Sequence, residues 1–155
     1  MKKTLSLIAT GLLFSSVILA AEVDVNAPYV RATAPGQPNS AAFMQLGNKG
    51  DVTRLVGASS PAAQVVELHT HTHDQGVMRM RKIDFIELPS RSQVELAPGG
   101  LHIMLIGLEA PLQAGSHIDL TLKFDDGSSE QLSVPVQMVM PAGMQHGQPA
   151  PQGKH

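Results

Sequence analysis

Gln64–Ile83 reads QVVELHTHTHDQGVMRMRKI. Histidines 69, 71 and 73 alternate with Thr70 and Thr72, and Met78 and Met80 alternate with Arg79 and Arg81. A period of two belongs to extended chain, where successive side chains point to opposite faces. Asp74-Gln75-Gly76 between the runs is turn chemistry, so the stretch predicts two strands joined as a hairpin. A tight turn centred on Asp74-Gln75 would set His71 opposite Met78 and His69 opposite Met80. Direct cross-strand partners have Cβ atoms roughly 4.5–5.5 Å apart, within reach of one shared ion for long side chains.

Outward from this hairpin the same texture continues. Short apolar runs at Val23–Thr33, Ala41–Gly47, Val52–Ala58, Phe85–Leu88, Gln93–Leu96, Leu101–Gly107, His117–Phe124 and Gln131–Val139 are separated by Pro35-Gly36, Asn48-Lys49-Gly50, Pro98-Gly99-Gly100 and Asp125-Asp126-Gly127. No stretch after residue 21 sustains a helical period over three turns. Ten short strands at this spacing predict an all-β Greek-key sandwich or barrel. At 155 residues, with no long linker and no internal repeat, one domain is expected, over residues 22–140.

The two ends differ from this middle. Met1-Lys2-Lys3, the apolar run to Leu19 and the small pair Ala20-Ala21 form the three parts of a secretory signal peptide. Residues 1–21 are therefore expected to be cleaved, after Ala20 or Ala21, leaving an exported, periplasmic chain with no stable membrane insertion. Residues 141–155 (PAGMQHGQPAPQGKH) lose apolar periodicity and read as a flexible tail.

Composition removes several functions. The chain contains no cysteine. That excludes a disulfide scaffold, a thiolate zinc site, an iron–sulfur cluster, a lipid-anchoring cysteine and a blue-copper electron carrier. The formal net charge is −2, and −4 without residues 1–21, which hold Lys2 and Lys3 and no acid. No basic footprint for nucleic acid exists. Aromatics are only 3% of the chain, so the core must come from Val, Leu, Ile, Ala and Met.

Against this background, seven His and eight Met are an excess. In LHIML, His102 and Met104 share one strand face while Leu101, Ile103 and Leu105 share the other, a candidate core face. Two imidazoles and two thioethers, without carboxylate or thiolate, form a soft, neutral donor set that suits monovalent copper best. Calcium and magnesium want oxygen ligands, and thioether adds little for zinc. Plainer roles stay open residue by residue. Met78 and Met80 also fit as core filler, and His71 and His73 as solvated surface; His117 reads as structural and Met44 as core.

The spacing His69, ten residues, Met80, twenty-one residues, His102-X-Met104 is met in full. With its flanks, GVMRMR, LAPGGLHIMLIGL and PLQAGSHIDLTLKFDDG, and with YVRATAPG and AAFMQLGNKG upstream, it resembles the periplasmic copper chaperones of the PCuAC family. The resemblance runs from about Tyr29 to Val139. It implies a cupredoxin-like β-sandwich or barrel with one exposed Cu(I) site whose ligands are His69, Met80, His102 and Met104. It also implies a carrier, not an enzyme, that serves cytochrome c oxidase assembly at the CuA centre alongside Sco-type proteins. Relatives often carry Met two residues after the first histidine; here that residue is His71, followed by His73. With Met78 and the tail residues Met144 and His146, these are candidate accessory ligands; a weaker, Cu(II)-preferring site formed by His71, His73 and the tail histidines stands as the alternative to a solvated turn and tail. A storage or detoxification protein using the same site is the alternative. A His-ligated metalloenzyme is a weaker one, because no carboxylate base stands beside an open metal position, although Glu67 and Asp74 are near in sequence.

Overall fold

The computed structural model describes residues 21–139. Residues 1–20, most of the expected signal peptide, and residues 140–155, which include the candidate accessory ligands Met144 and His146, lie outside the described residues. All ten expected strands form: β1 (Val23–Arg31), β2 (Asn39–Asn48), β3 (Thr53–Ser59), β4 (Ala63–Asp74), β5 (Val77–Lys82), β6 (Ile86–Leu88), β7 (Ser92–Leu96), β8 (His102–Leu108), β9 (His117–Phe124) and β10 (Ser129–Gln137). No helix among the described residues is long and apolar enough to cross a membrane.

The strands take the order β5-β4-β8-β2-β1-β10-β9-β3-β6, with β7 also paired to β2. Two antiparallel groups, β5-β4-β8-β2-β1 and β10-β9-β3-β6, are joined where β1 and β10 run parallel at Val30–Val136 and Arg31–Gln137. The neighbours β8–β2 and β3–β9 are far apart in sequence, as long Greek-key connections require.

Alternation builds the core. In β9, Ile118, Leu120, Leu122 and Phe124 are buried while His117, Asp119 and Lys123 are exposed. Val30, Leu46, Leu55, Leu88, Ile103, Leu105, Val134 and Val136 meet them, all at 2% exposure or less. Each such side chain contributes about 1.5–3 kcal/mol on leaving water. Met44 belongs to this core at 2% exposure.

Two strands position the chemistry. The ten-residue β2 pairs β8 through Asn39–Ala42 and β7 through Met44–Asn48, along the same edge. The first half of β2 thereby holds β8 against β4, and β5 is left as the outermost strand with all six residues exposed.

Candidate metal centre

Register decides which side chains meet. In the β4–β8 ladder His69 faces His102 and Glu67 faces Met104; across β8, Met104 also faces Ala41 of β2. In the β4–β5 hairpin His69 faces Lys82, His71 faces Met80 and His73 faces Met78. This corrects the register read from the sequence by two residues. The turn is centred on Gln75-Gly76, with φ of +49° and +81°. A two-residue turn with both central residues at positive φ matches the right-handed strand twist, and glycine takes the second position without steric cost. A slip of two preserves the alternation of faces, so the His and Met side chains still share one side of the sheet.

The rings on that side form a chain. The His69 and His102 centroids are 5.8 Å apart and those of His71 and His102 are 5.1 Å apart. Phe43 closes the other flank of His102 at 6.2 Å. His69 Nε2 lies 2.9 Å from Glu67 Oε2, and His102 Nδ1 lies 3.0 Å from the Gly100 carbonyl oxygen. An ionised carboxylate and a carbonyl only accept, so these ring nitrogens donate. In the neutral rings the lone pairs then sit on His69 Nδ1 and His102 Nε2. These two nitrogens are the buried side-chain N/O atoms left without a hydrogen-bond partner among the described residues.

The surroundings keep one ring neutral and the other oriented. Burial pushes the His102 pKa below the ordinary histidine value; its Gly100 bond opposes this, and nearby His71, His69 and Arg31 add to the lowering. Lys82 Nζ donates to Glu67 Oε1 at 2.8 Å. Bonds from Lys82 and then His69 lower the Glu67 pKa, so the carboxylate that holds His69 stays ionised.

The four motif residues are not equivalent in place. His102 is only 2% exposed, although its face of β8 was expected to point away from the core; Phe43 and His71 cover it. Met80, 46% exposed, lines a depression of about 280 Å³ together with His71, Met78, His102, Phe43 and Arg31. Met104 is half-buried on β8, two residues from His102 on the same face, beside Glu67 and outside that depression. The motif thus gathers around the His69–His102 pair, with Met104 on one side of it and Met80 on the other. His73 is exposed at the hairpin end and His117 is exposed on β9, away from the rings. Among the described residues no three His, Asp or Glu are arranged to hold a metal ion. A larger depression of about 840 Å³ lies elsewhere, lined by residues such as Glu22, Lys49, Arg91 and Asp126, and contains no His or Met.

Comparison with known proteins now decides the family. A family described as "Putative lipoprotein LpqE-like", which is of the PCuAC type, matches residues 23–136. The chain belongs to this family. It is 42% identical over 116 residues to the putative lipoprotein Lxx21020 of Leifsonia xyli subsp. xyli, covering 74% of this chain and 69% of that one. The solution structure of CuI-DR1885 from Deinococcus radiodurans superposes with a TM-score of 0.64 at 35% identity, covering 77% of this chain and 80% of that chain. The copper-bound PCuAC domain from PmoF2 gives 0.65 at 24% identity, with 77% and 96% covered, a likeness of fold. The cupredoxin-like architecture expected from the sequence is therefore the architecture of this PCuAC-type chain.

One part of the centre escapes a sequence reading, and a second is visible there without its role. The Gly100 carbonyl is a backbone acceptor with no residue signature. Glu67 stands two residues before His69 on the same strand face, which was a usable signal for a carboxylate–histidine pair.

Proposed function

We propose that this protein is an exported copper carrier that binds one Cu(I) through His69, Met80, His102 and Met104. It would deliver the ion for assembly of the CuA centre of cytochrome c oxidase, alongside Sco-type proteins. The observation that carries the reading is the pair of buried, unpartnered ring nitrogens, His69 Nδ1 and His102 Nε2, each fixed by a hydrogen bond at the opposite edge of its ring. Burying a polar atom without a partner is costly, and metal-binding imidazoles commonly donate their other N–H to a carboxylate or carbonyl. Two imidazoles bound to one ion at about 2.0 Å have centroids roughly 5–6 Å apart, compatible with the 5.8 Å between His69 and His102. The copper(I) form of the 35%-identical DR1885 supports the choice of ion.

The donor set also favours carriage over catalysis. Neutral thioethers and imidazoles hold a soft ion without fixing it by charge, and the exposure of Met80 leaves room for an acceptor's ligand to enter. Glu67, the carboxylate nearest the rings, is engaged by Lys82 and His69 and is not free to act as a base. Storage would use the same donors; transfer to a partner separates the two roles.

Anaerobic Cu(I) competition titration of the full chain, beside Met80→Ala and Met104→Ala, tests the site. One tight equivalent is expected in the wild type and neither variant should retain it. Tight binding that survives both substitutions removes the thioethers from the site.

A further inference from the structure

His102 has two histidine neighbours, not one. His69 and His71 lie two residues apart on the same face of β4, and the His102 ring lies 5.8 Å from the first and 5.1 Å from the second. Both separations fall within the roughly 5–6 Å expected of two imidazoles on one ion. The His71 side is the side with the depression, which His71, Met78, Met80 and His102 line together, whereas His69 and Met104 do not. The His71 ring turns Nδ1 toward the same Gly100 carbonyl that His102 uses, at 3.4 Å, leaving Nε2 as its free nitrogen. The Met78 methyl lies over Gly99, 3.7 Å from the position a Cβ would occupy there, so its thioether is drawn across the depression although half the residue is exposed. His102 Nε2, buried and without a partner, is the remaining donor.

We propose that His71, Met78, Met80 and His102 form a second, outer position for the cuprous ion, with His102 and Met80 common to both positions. This rests on the Cu(I) reading above and extends it. An ion leaving the inner position exchanges His69 for His71 and Met104 for Met78 while His102 stays bound. No electron moves, and each leaving donor is replaced by one of its own kind, imidazole for imidazole and thioether for thioether. The outer position is the more solvent-exposed one, from which an acceptor can take the ion.

The test isolates the outer position. In the full chain carrying His69→Ala and Met104→Ala, anaerobic titration with Cu(I) should show one equivalent, weaker than that of the wild type. ¹³C-methyl spectra should show the Met78 and Met80 methyl signals shifting with it. Adding His71→Ala and Met78→Ala should abolish that equivalent. In the otherwise native chain, His71→Ala with Met78→Ala, neither of them a ligand of the inner position, should slow transfer of Cu(I) to bicinchoninate severalfold and leave the tight equivalent in place. A double variant that binds no Cu(I) overturns the outer position, as does residual binding indifferent to His71 and Met78, or an unchanged transfer rate. Failure of the underlying reading has a different signature: the wild-type chain itself takes up no tight Cu(I), and both positions fall.

Discussion

Replacing Glu67 by alanine probes the support of the proposed site without touching a proposed ligand. The carboxylate accepts from His69 Nε2 at 2.9 Å and from Lys82 Nζ at 2.8 Å, one oxygen for each. The first bond fixes which His69 nitrogen carries hydrogen and therefore which offers its lone pair. Without it the ring can turn or exchange tautomers, and only part of the population presents Nδ1 to the ion. Loss of such an outer partner typically weakens metal binding by about ten- to a hundredfold. That range is expected for Glu67→Ala by Cu(I) competition against bicinchoninate under anaerobic conditions, with the stoichiometry unchanged at one. Glu67→Gln can still accept through its amide oxygen, but loses the strengthening that charge gives, so it should fall between alanine and wild type. Lys82 reaches only the other carboxylate oxygen and is largely exposed; Lys82→Ala should change affinity by less than about fivefold. A Glu67→Ala affinity within twofold of wild type would refute the claim that this carboxylate orients His69.

Two further outcomes follow from the fold and the buried ring. Asn48 is 3% exposed and ties three segments together, donating to the Asp51 and Leu88 carbonyls at 2.7 and 2.9 Å and accepting from the Gly50 N–H at 3.0 Å; Asn48→Ala should cost about 2–3 kcal/mol in urea unfolding with Cu(I) affinity unchanged, and an unaltered midpoint would contradict this. His102 has a folded-state pKa below the ordinary 6.5, so the unfolded chain takes up its proton first and stability falls as pH drops below about 6.5 toward the folded value. Unfolding midpoints between pH 7.5 and 5 should therefore slope less in His102→Leu than in wild type, and equal slopes would show that this ring does not contribute.

The strands were legible because alternation and turn residues leave a local record. In Ile118–Phe124 buried residues alternate one by one with exposed or half-buried ones, and the same period set His69 with His71 and His102 with Met104 on shared faces. Register was less legible. It depends on which two residues occupy the turn, and Gly76 at φ +81° moved the centre by one position and every partner by two. Burial of His102 was not legible, because the side chains that cover it arrive from β2 and β4 through pairings between distant segments. Gly100 was invisible for a different reason: its contribution is a carbonyl, which every residue possesses.

The proposed donors are mounted unequally. His102 stands on β8, hydrogen-bonded to a strand on either side, whereas Met78 and Met80 stand on β5, which is attached to the rest by the hairpin with β4 alone. Edge segments with few buried contacts open at lower free energy than interior ones. On the proposed ligand set, fraying of one outer ribbon would loosen the sulfurs while the interior imidazole kept its seat. How firmly cargo is gripped and how quickly it departs would then be adjustable by substitutions in different parts of the molecule.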